Sequence, residues 1–220
     1  DIERLNVAGT LDLFTAARRG GVKRIVFVSS LAAHPTCRSL YGRAKRTVEE
    51  QSGADAVVIK PGTIYGPSAG GMMGTLTKRI EGARLIPVLR HPGAMYLTHE
   101  EDLFALIEQT FTGTWPSTPL FAAAEEAWTI ERLSREVGRA FGPRTFVPVP
   151  WWVVWSILRT LEAAGGRPAF RSDSARSLGY PPSDDYIRSL ARPPVPFRNF
   201  SATADLAGSV HRRLAVGPSD

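Results

Sequence analysis

Tyr41 and Lys45 stand four positions apart in a segment, 39–51, whose pattern predicts a helix, so both side chains emerge from one face, one turn apart. A phenol with a pKa of about 10 is a poor acid or base at neutral pH, but a neighbouring ammonium stabilises the phenolate and lowers that pKa. The pair therefore predicts a proton-transferring Tyr41 supported by Lys45. Just upstream, Ser29 and Ser30 end an apolar run, RIVFVS at 24–29 followed by a second serine. A serine hydroxyl at the carboxyl end of a buried parallel strand, where open α/β sheets place their ligands, can hydrogen-bond a substrate carbonyl or alkoxide. Together these residues are suited to carbonyl and alcohol chemistry. Alone, a Tyr-x-x-x-Lys pair is equally the mark of an ordinary surface helix, so its surroundings decide.

The elements that must position these groups are readable in order. Residues 1–19 carry Val7, Leu11, Phe14 and Ala17 at steps of four and three, one face of an amphipathic helix, and Gly20-Gly21 stop it. The run at 24–29 and AVVIK at 56–60 have the β-branched, unbroken apolar character of strands buried on both faces of a parallel sheet, the second broken by Pro61 and Gly62. Helix, strand, helix, strand is the alternation of an α/β fold. Residues 63–92 are rich in glycine and read as an excursion with one short helical piece at 76–80. Thr98 and Glu101 form a capping-box pattern ahead of Leu103, Leu106 and Ile107. Residues 120–123 and 145–149 are strand candidates, and 129–141 a helix with Leu133 and Val137 inward. Beyond Arg192 the chain reads as a poorly ordered tail.

Composition bounds the function. The 220 residues, 43% hydrophobic and 22% charged, are those of an ordinary globular chain rather than a disordered or collagen-like one. One cysteine, Cys37, excludes an intramolecular disulfide and a cysteine-rich metal centre, and no metal is expected. The net charge of +6 comes from 23 Arg and 4 Lys spread along the chain, without the basic block of a nucleic-acid arm. With no signal-like start and no 18-residue apolar stretch, a soluble, cytoplasmic protein without a transmembrane segment is expected. The run 146–158, with Trp151, Trp152 and Trp155, is too short to span a bilayer and reads as a core or cap helix, the alternative being a membrane-surface or partner-binding face.

Four motifs occur in one register: NVAGT at 6–10 followed by Ala16-Ala17, GVKRIVFVSS at 21–30, YGRAK at 41–45 and KPGTIYGP at 60–67. In these the sequence resembles the extended short-chain dehydrogenase/reductases, the NAD-dependent epimerases and dehydratases. Residues 96–107 look like that family's return into the nucleotide domain, and SARSLGYP at 174–181 like its C-terminal segment; the resemblance covers about 1–187. It implies the C-terminal part of a Rossmann-type doubly wound parallel sheet plus a small mixed α/β substrate-binding cap. The partial NAD(P)-binding domain would comprise 1–67 and 94–123, the cap 68–93 and 124–190, and the tail 191–220. It implies Tyr41 as catalytic acid/base, and Lys45 as its partner, also hydrogen-bonding the nicotinamide ribose of a bound NAD or NADP. Ser30 would hold the substrate oxygen, with Ser29 the lesser choice and a cofactor neighbour. Asn6 stands behind the site, and Pro61, Gly62, Thr63 and Ile64 would contact the nicotinamide end.

Three departures qualify the likeness. The glycine-rich dinucleotide fingerprint is missing, and Gly70-Gly71-Met72-Met73-Gly74 follows no suitable strand. In relatives roughly 100 residues with the first strands would precede Asp1, so the chain is expected to be an N-terminally truncated piece without the adenosine and pyrophosphate site. Ser30 and Tyr41 are only eleven positions apart, shorter than in nucleotide-sugar enzymes, and Lys60 replaces a commoner arginine. The implied function is hydride and proton transfer at a carbonyl or alcohol carbon of a small-molecule substrate. The alternatives are a non-catalytic dinucleotide-binding or partner-docking relative and an inactive truncated product. A sheet of about three strands would expose an apolar edge, which predicts self-association, a homodimer being one form of it.

Overall fold

The structure, a computed structural model, describes residues 4–68, 70–90 and 93–202. A π-helical turn, Arg4–Ala8, runs into α1 (Gly9–Arg19), followed by β1 (Ile25–Val28), α2 (Leu40–Gln51) and β2 (Ala56–Pro61). Then come β3 (Thr63–Tyr65), α3 (Gly71–Gly82), β4 (Leu85–Arg90), β5 (Met95–His99), α4 (Glu100–Thr110), β6 (Leu120–Ala122) and β7 (Ala127–Trp128). The chain continues through α5 (Ile130–Arg139), β8 (Thr145–Pro150), α6 (Trp151–Ala163), α7 (Ser172–Gly179) and α8 (Asp184–Ser189).

The body of the molecule is a parallel three-stranded sheet in the order β1-β2-β6, with Ile25 opposite Ala56 and Ile59 opposite Leu120. Every residue of β2 is buried, as the apolar run AVVI requires of a central strand, and Lys60 at its end is buried with them. Its side chains alternate between two cores. Ala56 and Val58 join Ile25, Phe27, Phe14 and Val48 under α1 and α2, whereas Val57 and Ile59 meet Leu103 and Leu106 of α4. Helices on both faces of a parallel sheet make the body doubly wound, as the alternation predicts.

A second core lies outside that sheet. Met73 and Ile80 of α3, Ile86 and Val88 of β4, and Leu133 and Val137 of α5 pack with Tyr65, Leu97 and Trp128. Here β4 pairs with β8 in parallel, Leu85 opposite Thr145, while β5 pairs with β3 in parallel and with β7 in antiparallel fashion. This outer layer is where the sequence reading was too coarse. The stretch 63–92 holds two strands and the 12-residue α3, because four of its five glycines, Gly66, Gly70, Gly71 and Gly82, sit at the ends of these elements and only Gly74 lies within the helix. Thr98 is not the cap of α4. It lies in β5, fully buried, donating to the Ala122 carbonyl at 2.7 Å and accepting the Gly62 amide at 2.9 Å, which ties the two sheets together. His99 caps instead, its Nδ1 accepting the Glu101 amide at 3.2 Å.

The stretch after Arg192, expected as a loose tail, packs as far as it is described. Phe200 stands edge-on to Tyr65 and Trp128, and the Arg198 guanidinium donates to Asp102 at 2.7 Å and Glu101 at 3.0 Å. Residues 203–220 lie outside the described ones. Among the described residues no helix is long and apolar enough to cross a membrane.

Candidate active site

Helix α2 begins where it does because Ser39, in extended conformation, turns its hydroxyl back to accept the Gly42 amide at 3.0 Å. The two amides ahead of that one are taken from outside the helix. The Asp173 carboxylate, on α7, accepts Leu40 N–H at 2.7 Å and Tyr41 N–H at 3.1 Å. These groups would otherwise lack partners, and a carboxylate also suits the positive end of the helix dipole. Gly42 is required by a close approach: a Cβ there would come within 2.3 Å of the Ala32 carbonyl oxygen. Absence of that Cβ lets α2 lie against the loop after β1, which sets Tyr41 beside Ser30.

The Ser30 oxygen accepts the Ala32 amide at 3.1 Å, and Ser30 stands near the Tyr41 phenol. Both residues line a cavity of about 230 Å³. Leu31, Ala32, Gly62 and Thr63 form its body wall, Met72 and Met95 a second side, and Asp173, Ser177, Leu178 and Tyr180 the opposite wall. The excursion and the late segment, otherwise unreadable in the sequence, thus meet over Tyr41.

The electrostatics differ from the expectation. Tyr41 is 43% exposed, and the partial burial of its phenol pushes the pKa above its ordinary value, with only the neighbouring Ser30 opposing the rise. Lys45 does not counter it, because its Nζ is turned to the Val28 carbonyl at 2.8 Å and lies 4.8 Å from the centre of the Phe27 ring. Burial in turn lowers the Lys45 pKa, with Glu49 opposing. The expected lowering of the phenol is not supplied by Lys45 in this structure, and Tyr41 keeps its proton at neutral pH.

Other expected site residues separate into two groups. Gly62 and Thr63 line the cavity; Pro61 is buried in β2, its carbonyl accepting Leu31 N–H at 2.9 Å, and Ile64 is not on the cavity wall. Asn6 sits exposed on the π-helical turn, its carbonyl accepting the Thr10 hydroxyl, and also lies off the cavity wall. Ser29 is 3% exposed and donates to the Glu49 carboxylate, so its hydroxyl faces the body interior rather than a bound cofactor.

That contact belongs to a buried ionic cluster which the sequence reading missed. Lys60, with no exposed surface, donates to the Ala33 carbonyl at 2.6 Å and to both Glu49 oxygens at 2.5 and 2.6 Å. Tyr186 donates to the same Ala33 carbonyl at 3.0 Å, its phenol pushed up in pKa by burial and by Glu49. The cluster pins Ala33, hence the loop that carries Ser30. A signal for it existed, since Glu49 continues the Tyr41–Lys45 stripe by one more step of four.

The opposite wall is held by aromatic and polar contacts. His34, 2% exposed, has Nε2 2.9 Å from the Tyr180 carbonyl, and burial lowers its pKa. The Arg38 guanidinium lies 4.3 Å from the Tyr180 ring centre, whose other neighbour is the Trp151 edge. Glu162 of α6 accepts the Ser172 amide at 3.0 Å, the Ser172 hydroxyl at 2.5 Å and Arg171 Nε at 2.7 Å, which brings its pKa down to about 2. Helix α6 itself buries no residue fully, and Trp152, Ile157 and Leu161 are about half exposed or more.

Residues 1–91 match the model of the NAD dependent epimerase/dehydratase family. The chain is 33% identical over 105 residues to a ceramide reductase of Caulobacter vibrioides, an alignment covering 46% of this chain and 32% of that protein. It thus spans about a third of the length of the curated relative it matches. Among solved structures, MoeE5 in complex with UDP-glucuronic acid and NAD superimposes with a TM-score of 0.64 at 15% identity, over 96% of this chain and 72% of that one. The Bordetella bronchiseptica enzyme WbmG in complex with NAD and UDP gives 0.63 at 14% identity, over 94% and 66%. At such identities the likeness shows the fold, a Rossmann-type α/β architecture.

Proposed function

With residues 1–91 matching the NAD dependent epimerase/dehydratase family, we propose that the chain carries the substrate half of an NAD(P)-dependent oxidoreductase or epimerase acting at a carbonyl or alcohol carbon. The observation that supports this reading is the joint presence of Ser30 and Tyr41 on the wall of one cavity. A carbonyl oxygen placed between them would accept from both hydroxyls, and Tyr41, held protonated, would deliver the proton as negative charge develops on that oxygen. Lys45, one turn on, is the cation available to support the phenolate left behind once it leaves the Val28 carbonyl. Ala32, Gly62 and Thr63, small or uncharged, line the cavity beside these groups, and in this reading the nicotinamide would lie against them. NAD or NADP, when bound, supplies or accepts the hydride. A small-molecule substrate and a cytoplasmic location belong to the same reading.

The test is Tyr41→Phe in the full-length protein with NADH or NADPH and candidate carbonyl compounds. Turnover is expected to fall about 10²- to 10⁴-fold with cofactor affinity little changed; unaltered turnover would remove Tyr41 from the chemistry. A second reading, a dinucleotide-binding protein that docks a partner, is favoured by the outward apolar side chains of α6. It predicts full cofactor binding with no turnover of any carbonyl, and Trp152→Glu abolishing the association.

A further inference from the structure

We infer that the cavity over Tyr41 takes an uncharged, largely apolar substrate, a ketone or secondary alcohol on an aliphatic or aromatic frame, and turns away nucleoside diphosphates; this rests on the carbonyl reading proposed above. Among the described residues that line it there is no Arg, Lys or His. Their polar atoms are mostly hydroxyls, from Ser30, Tyr41, Thr63, Ser174 and Ser177, which suit a neutral carbonyl or hydroxyl. The remainder is apolar, with Leu31, Met72, Met95 and Leu178 on different sides.

The single charged group among the described residues of the wall is negative. Asp173 fills the amino end of α2, the place where helix amides would otherwise be offered to a phosphate. A diphosphate entering the cavity would lose water without finding a cation and would meet a carboxylate of its own sign. Nor do nearby cations turn inward. Lys45 is spent on the Val28 carbonyl, Lys60 on Glu49, and Arg38 on the Tyr180 ring and hydroxyl. The start of α3 is exposed at Gly70 and Gly71, and among its described residues Met72 lines the cavity. At about 230 Å³ the cavity is smaller than sites for drug-sized ligands, which run from about 300 to 1,000 Å³, so it holds a compact reacting end.

Binding, not turnover, tests this. The full-length protein, saturated with NADH or NADPH, is titrated with 2-decanone and separately with UDP-glucose, following tryptophan fluorescence and the thermal midpoint, since Trp151 abuts the cavity residue Tyr180. The ketone is expected to saturate with an affinity more than about tenfold above that of UDP-glucose. Leu178→Arg should weaken the ketone by about tenfold or more and create UDP-glucose binding. Should that variant fail to fold, Met72→Gln on another wall should still weaken the ketone several-fold. UDP-glucose binding as tightly as the ketone, or failure of the ketone to bind, overturns the inference. If the ketone is preferred yet Tyr41→Phe retains full turnover, the catalytic reading fails and the substrate class stands; if UDP-glucose is preferred and Tyr41→Phe is inactive, only the substrate class fails.

Discussion

The two walls of the cavity are secured by opposite means. The body wall, carrying Ser30, is fastened from behind by an ion pair sealed inside the protein: Lys60 with no exposed surface, Glu49 with 11%. The wall formed by α7 is held by carboxylates placed over helix amino ends, Asp173 on α2 and Glu162 on α7 itself. A sealed ion pair is costly to half-remove, whereas a capping carboxylate at a surface is a modest, local tie. The difference teaches that the serine side is built as a fixed template, and the α7 side as a wall that can be loosened without unfolding the sheet.

Lys60→Met tests the first half hardest. It leaves the Glu49 charge without a counter-ion and should cost about 3–5 kcal/mol in urea unfolding, most of it recovered by pairing it with Glu49→Leu. A single variant no worse than the double would mean that the pair does not fasten this wall. Gly42→Ala comes next, since its Cβ would press on the Ala32 carbonyl at 2.3 Å. We expect a loss of about 1–3 kcal/mol and a further fall in turnover, as the Ser30 loop is forced away from Tyr41.

Asp173→Ala should cost less, about 0.5–2 kcal/mol, and act on the other wall. Limited proteolysis is expected to cut between α6 and α8 while the body resists; uniform digestion would contradict the division of labour. The mildest effect is one of acidity. Glu162 titrates near 2 when folded against an ordinary 4.5, so its tie between α6 and α7 is at full strength above pH 4.5 and is lost as the pH falls toward 2. In an acid titration of thermal stability Glu162→Gln should flatten that window and leave the neutral range nearly unchanged.

The body was legible because its pairings follow from local patterns. IVFV and AVVI are unbroken apolar runs, and Ser39, Gly42 and the Tyr41–Lys45 stripe lie within one helical segment. The outer layer was not, because its strands are short or interrupted by proline, as in LIPVLR and TFVPVP, and find each other only across long separations. Likewise Ser30 and Tyr41 are announced by motif and spacing, but nothing around Asp173 signals that its carboxylate will cap a helix more than 130 positions earlier. The direction of the Tyr41 shift was misjudged for a related reason. Sequence spacing put Lys45 on the right face but could not show that the Val28 carbonyl competes for its ammonium.

The strand pairings also interleave along the chain. Ile59 must find Leu120, while Leu85, lying between them, must find Thr145 beyond them. Neither sheet therefore belongs to an uninterrupted stretch of polypeptide. During synthesis the body lacks β6 until long after β2 has been made, and by then β4 is already waiting for a partner still inside the ribosome. Such crossed, non-local parallel pairings make for slow folding. They also couple the two layers in time: an apolar strand of one stays exposed while the other is being completed, and that interval is when a chaperone has the most to cover.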